Sequence, residues 1–489
     1  MNLYTYLADA TQRSPGRVAV AAPVSGADPA ASEHEQITFG ELHSAAGRIA
    51  AGLAGLGVGR GDRVVLMVPV SVDLYRVVAA LFRLGAVPVL MDPWMGVAKM
   101  AACVRHTEAR AFIGVPLAHA LLSWRPGLGG LTRILVGGAS WLPGHRLERM
   151  LARSPDGVPV ADLGADDPAL ITFTGGTTGR PKGVFRSHGV LDAQHRGTMR
   201  CMGVVDGAVH MQAFPNMVMS NIAVGATSVI PRFRQGHVAE ADPAALARQV
   251  RRFDVTGICG PPALLARLAD HCIEHETPLG QVRRIVVGGS AVGFDVVRRL
   301  EQATRPGAAV VLYGSSEAEP LATLRGSREF RHARRALREG GGLCVGRPPD
   351  GLDLEIIAVP RHDGPLEVDE AGLRALRLPP GRIGDMNPPP ARSPVYNPGD
   401  GRRPPIFYRV DPRRGRCRGA GRCRASTRPG AATGAGRGGG AVRRPWGRLG
   451  WDGGGRDPRW AGCPRRGAPP GDGRRVAVVA DGGPGALPR

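Results

Sequence analysis

Between residues 37 and 313 the chain alternates short apolar runs with longer amphipathic ones, and few folds accept that order. Phe39, Leu42, Ala46, Ile49, Leu53 and Leu56 recur at three- and four-residue steps, which predicts a helix within 37–56 with Thr38 as its N-cap. Residues 57–62 break it. A β-rich run at 63–68, an amphipathic helix at 71–84 and a buried strand at 86–91 follow, a β-α-β succession that calls for parallel strands. The alternation goes on with strands at 111–115, 133–136 and 169–173, and then at 209–214, 227–230, 255–258, 284–287 and 309–313. Helices fit between the later ones, near Asn221 and at 243–252, 262–275 and 294–304. So many strands suit two packed α/β sheets better than one very wide sheet. Short strands at 342–348 and 352–359 add a small β subdomain.

One loop interrupts the alternation with different chemistry. Thr172-Phe173-Thr174-Gly175-Gly176-Thr177-Thr178-Gly179-Arg180-Pro181-Lys182-Gly183-Val184 follows the strand at 169–173. Glycines let backbone N–H groups converge on an anion, threonine hydroxyls add donors, and a lysine supplies countercharge, so the loop suits phosphate. Lys182 and Lys99 are the only lysines among 64 basic residues, the rest being Arg. A compact ammonium has been kept where a point charge fits phosphate better than a flat guanidinium. The spacing is not that of a P-loop NTPase, because Lys182 follows Pro181 and precedes Gly183.

The loop resembles the phosphate loop of the AMP-forming adenylating enzymes, roughly T-S/G-G-S/T-T-G-x-P-K-G, with Gly175 where that family usually has Ser. Tyr313-Gly314-Ser315-Ser316-Glu317, about 140 residues on, resembles the family's Y-G-x-S/T-E, and Val287-Gly288-Gly289-Ser290-Ala291 its G-G-S/A turn beside adenine. The resemblance covers residues 1–385 and implies the family's large N-terminal domain. It implies nucleotide binding by Thr174, Gly175, Gly176, Thr177, Thr178, Gly179, Lys182, Gly288, Gly289, Ser290, Tyr313, Gly314 and Ser316. Catalytic roles would fall to Lys182, Thr178 and Glu317, with Glu317 as the magnesium ligand. Phe214, Met217, Val218 and Asn221 lie, by order, in the segment that lines the acyl pocket. Met217 and Val218 stand where many acyl-CoA synthetases carry an aromatic-His pair, so an apolar, adaptable pocket for an alkyl chain is expected. His188 is read as a structural or capping residue rather than a general base.

The implied reaction is attack of a carboxylate on the α-phosphate of ATP, giving an acyl-adenylate and pyrophosphate with Mg²⁺ as cofactor. Charge neutralisation and in-line positioning carry such chemistry, and no protein nucleophile is needed. Residues 85–93 and 111–116 look similar to the fatty acyl branch, in particular the olefin β-lactone synthetases, in which a β-hydroxy fatty acid displaces AMP with its own hydroxyl. A fatty acyl-CoA ligase using coenzyme A is the alternative. A third possibility is a non-catalytic remnant that still binds ATP.

Residues 386–489 differ in kind. They hold 22 Arg, six Asp, no Lys and no Glu, so the net charge of +22 belongs mainly to this stretch. The family's C-terminal domain, with its hinge and catalytic lysine, is not recognisable after Asp385. Loss of that lysine's charge would cost about 100- to 1,000-fold in rate. The stretch reads as a disordered Arg/Gly/Pro-rich tail, as an out-of-frame translation, or as a basic arm contacting nucleic acid through arginines and Trp446, Trp451 and Trp460. Residues 386–390, Met-Asn-Pro-Pro-Pro, are expected not to form a sheet strand. Eight cysteines without C-x-x-C pairs predict reduced thiols, and the absence of a signal sequence or an 18-residue apolar run predicts a cytoplasmic protein.

Overall fold

The helix Phe39–Gly55 begins where its sequence dictates. Thr38 Oγ1 accepts the Glu41 N–H at 3.2 Å while Glu41 Oε2 accepts the Thr38 N–H at 2.8 Å, a reciprocal capping box. The next helix, Val72–Leu84, starts at Ser71, whose Oγ accepts the Leu74 N–H, and stops at Gly85 in the left-handed region. These helices pack together and supply Leu42, Ile49, Leu53, Tyr75, Val77 and Leu81 to one large core cluster.

The computed structural model describes residues 1–24, 33–91, 95–123, 130–138, 142–154, 157–174, 182–233, 237–316, 318–338 and 343–349, with shorter pieces at 352, 354–358, 366–368, 370–378, 385–387, 395–396, 406–408 and 475–480. Two eight-stranded sheets dominate. The first runs, in spatial order, β15 (Ala322–Arg325), β14 (Ala309–Tyr313), β13 (Arg284–Gly288), β12 (Gly257–Gly260), β10 (Val209–Gln212), β11 (Thr227–Val229), β1 (Val18–Pro23) and β2 (His34–Thr38). Its six inner strands are parallel and its two edge strands antiparallel. The second runs β19 (Val395–Tyr396), β9 (Lys182–Ser187), β8 (Pro168–Thr174), β4 (Val87–Met91), β3 (Arg63–Met67), β5 (Ala111–Gly114), β6 (Thr132–Leu135) and β7 (His145–Arg146). From β8 to β7 it is parallel, as the β-α-β succession requires.

The helices Val72–Leu84, His188–Met202 and Pro215–Val224 join strands of both sheets around one cavity. A third sheet of five strands comprises β16 (Glu355–Ile357), β18 (Asp385–Asn387), β20 (Ile406–Tyr408), β21 (Arg475–Ala480) and β17 (Leu366–Val368); of the two strands expected at 342–348 and 352–359 only the second is in it, while Arg347 makes an isolated bridge with Thr323.

Lys182–Ser187 is β9, antiparallel to β8, so residues 175–181 connect the two strands of a hairpin, and the next helix begins at His188. One further expectation needs correction here. Asp385–Asn387 does pair, antiparallel to β16, although residues 386–390 read as incapable of it. The prolines start only at 388, and the backbone donors of Met386 and Asn387 remain.

Candidate active site

A cavity of about 490 Å³ opens between the sheets. Part of its wall is apolar, built from Leu3 and Leu7 of the N-terminal helix Tyr4–Arg13 and its approach, Leu74, Val78 and Phe82 of the helix Val72–Leu84, and Met219. A polar patch lies in it near where β8, β9, β13 and β14 end or turn: Thr172, Arg186, Gly288, Gly289, Ser315, Ser316 and Glu319, joined by Asn216.

The two glycines are required by geometry. A Cβ on Gly288 would sit 2.5 Å from the Leu312 carbonyl oxygen on the neighbouring strand. Gly289 has φ +80°, and a Cβ there would meet the Phe214 ring at 3.1 Å. The Phe214 ring therefore lies directly on the turn. Ser315 and Ala318 exchange backbone hydrogen bonds of 2.9 and 3.1 Å, which closes the turn after β14 and turns Glu319 back to the cavity.

Arg186 is buried, 4% exposed, and its Nη2 donates to Thr172 Oγ1 at 2.7 Å. Asn216 Nδ2 donates to Glu319 Oε2 at 3.2 Å. Burial pushes the Glu319 carboxyl up to about 7, against the opposing pull of the Arg186 charge and the Asn216 hydrogen bond. Burial also pushes the thiol of cavity-lining Cys259 up, and the nearby Glu319 charge adds to it. The cavity therefore holds a cation and a carboxylate within one polar patch, and a wide apolar wall beside it.

Of the residues expected from sequence, Gly288, Gly289, Gly314, Ser316, Phe214 and Met217 meet at the cavity. Ser290 is exposed on the turn, and Tyr313 ends β14; neither is part of the cavity wall. Thr174 and Lys182 are the last register pair of the β8–β9 hairpin, while Gly175, Gly176, Thr177, Thr178 and Gly179 lie outside the described residues, as does Glu317. Val218 and Asn221 do not line the cavity. Val218 is fully buried in the core cluster formed with the helices Phe39–Gly55 and Val72–Leu84. Asn221 Nδ2 donates to Ser228 Oγ at 3.0 Å and its Oδ1 accepts from Gln212 Nε2 at 3.3 Å. The segment is a helix, Pro215–Val224, that turns Asn216, Met219, Ser220 and Ala223 to the cavity and sends 218 and 221 to its other side.

Arg186 and Glu319 were not singled out by sequence. The available signals were slight: Arg186 lies four residues past Lys182 on what proves a strand, and Glu319 stands two residues past the motif glutamate. His188 is buried at the start of its helix, its Nδ1 accepting the Leu3 N–H at 3.2 Å, and burial pushes it down to about 4. It is a structural residue. Among the described residues no group of three or more His, Cys, Asp or Glu side chains forms a ready metal cage, and no helix is long and apolar enough to cross a membrane.

This architecture, two α/β sheets around a cleft with glycine turns at the strand ends, is that of an adenylating enzyme's large domain. A long-chain-fatty-acid-CoA ligase from Archaeoglobus fulgidus shares the fold with a TM-score of 0.64 at 19% identity, over 80% of this chain and 74% of that one. An anthranilate CoA ligase shares it with a TM-score of 0.65 at 18% identity, over 79% and 69%. Residues 7–372 match the AMP-binding enzyme family, and the chain belongs to that family and is an AMP-forming ligase. It is 34% identical over 392 residues to an olefin beta-lactone synthetase of Stenotrophomonas maltophilia, covering 79% of this chain and 69% of that protein. To the olefin beta-lactone synthetase of Xanthomonas campestris it is 35% identical over 395 residues, covering 79% and 68%.

Proposed function

We propose that this chain activates a fatty or β-hydroxy fatty acid with ATP and that the β-hydroxy acid closes to a β-lactone. The observation that carries the reading is the cavity itself, whose apolar wall of Leu3, Leu7, Leu74, Val78 and Phe82 adjoins the glycine turns expected to receive nucleotide. An alkyl chain fits that wall, and its carboxylate reaches the polar patch. Likeness to two olefin beta-lactone synthetases supports the choice of acceptor.

In the first step a carboxylate oxygen attacks the α-phosphorus, the bond to the β-phosphate breaks, and pyrophosphate leaves. Two anions must approach each other, so charge has to be offset. Lys182, at the base of the hairpin loop, supplies one cation and Arg186, held by Thr172, a second. The backbone of Gly288, Gly289 and Gly314 gives close approach for the base and phosphate. Magnesium bound at Glu317 would neutralise phosphate charge. In the second step the β-hydroxyl oxygen attacks the acyl carbon, the acyl–oxygen bond to AMP breaks, and AMP and the hydroxyl proton are released.

Incubating the full chain with ATP and β-hydroxymyristate, with and without coenzyme A, tests this. The expected products are pyrophosphate, AMP and a β-lactone in the absence of coenzyme A. A thioester formed only when coenzyme A is added would assign the chain as a fatty acyl-CoA ligase instead.

A further inference from the structure

A carboxylate in the wall of a cavity that receives a carboxylic acid needs a reason. Glu319 lies in that wall, and in its ionised form it repels the acid's own carboxylate. Arg186 offsets part of this charge. The side chain is also held: Asn216, from the helix that carries Met217 and Met219, donates to Oε2 at 3.2 Å. The backbone turn between Ser315 and Ala318 fixes it from the other side, and a Cβ on Gly314 would lie 3.1 Å from Glu319 Cγ. A carboxylate has about four acceptor positions, and Asn216 takes one. An oriented acceptor in a substrate cavity is useful when the substrate brings a donor. A plain alkyl carboxylate brings none. A hydroxyl close to the carboxyl group does, and the nearby Arg186 makes the patch a poorer place for a substrate ammonium, which would add a second cation.

We propose that Glu319, oriented by Asn216, is the residue that selects a β-hydroxy acid over the unsubstituted acid, its carboxylate accepting a hydrogen bond from the substrate hydroxyl and fixing that oxygen relative to the carboxyl group. This rests on the acid-activating reading above and adds to it the specificity-determining side chain. Glu319 is partly exposed and its bond to Asn216 is exposed, so the selection rests on the charged hydrogen bond that the substrate hydroxyl adds and that the analogue without it cannot make.

The test is equilibrium binding of β-hydroxymyristate, myristate and β-aminomyristate to the full chain, in parallel with pyrophosphate release on addition of ATP. The unmutated chain is expected to bind the hydroxy acid at least about tenfold more tightly than myristate. In Glu319→Leu that ratio falls to about one, with myristate bound no more weakly than before. In Glu319→Gln, which keeps a carbonyl acceptor and its size, an intermediate ratio is expected. No preference in the unmutated chain, an undiminished preference in folded Glu319→Leu, or tighter binding of the amino acid analogue overturns the assignment. Should Glu319→Leu fail to fold, Glu319→Gln decides: a reduced ratio supports the role and an unchanged one overturns it. Pyrophosphate release without selectivity removes Glu319 and leaves the activation; selectivity without release does the reverse.

Discussion

At the scale of single residues, the site depends on positions where one atom more would not fit. Gly289 combines a positive φ with the Phe214 ring against its Cα. Gly289→Ala is expected to lower unfolding free energy by about 1–3 kcal/mol, measured by urea denaturation, because the left-handed backbone penalises any Cβ. Arg186→Met removes the buried cation of the cavity's polar patch. It should reduce kcat/KM for pyrophosphate release about 10- to 100-fold, in keeping with loss of a charged hydrogen bond. The glycines were legible in the sequence because their chemistry is local: a Gly-Gly turn after a strand announces itself. Arg186 and Glu319 were not, because the direction of a side chain on a strand depends on register, and the register of β9 is set by its partner β8. Val218 and Asn221 were misplaced for a related reason. The order of residues located their segment, and the phase of the helix Pro215–Val224 decided which of them face the cavity.

Among the elements, the strength of the local pattern divides the legible from the illegible. The helix starting after Thr38 was readable to within a residue or two, since its capping box lies within four consecutive residues. Thr38→Ala should destabilise the chain by about 1 kcal/mol in the same denaturation assay. The parallel strands β3, β4, β5 and β8 were readable as apolar runs. The antiparallel strands β2, β9 and β15 carry weaker patterns, and each forms by pairing with the strand just before it in the chain. The β8–β9 hairpin sets Thr174 opposite Lys182 at the two ends of the loop expected to receive phosphate. Lys182→Ala is expected to lower pyrophosphate release about 100- to 1,000-fold while leaving thermal stability unchanged, because the cation acts on developing charge at the phosphate.

Across the whole molecule, two buried histidines couple stability to pH. His188 and His210 are 1% and 4% exposed, and burial pushes both down to about 4. The unfolded chain, with ordinary imidazoles, binds more protons than the folded one between about pH 6.5 and 4, so stability is full above that window and falls on acidification through it. At pH 5 the two together should cost about 4 kcal/mol relative to pH 7, and replacing either by Gln should reduce that dependence. The division of the chain into an α/β body over residues 1–385 and a basic stretch over 386–489 follows composition. We propose 1–385 as the activating domain, with residues 7–372 matching the family. The two sheets set Arg186, Gly288 and Gly289 in the wall of one cavity with a wide apolar side, and we propose activation of an acid as the chemistry it serves. Acid-dependent exchange of labelled pyrophosphate into ATP by the full chain tests this most directly: exchange that appears only when a fatty or β-hydroxy fatty acid is added is the expected result, and ATP binding without exchange for any of these acids would contradict it.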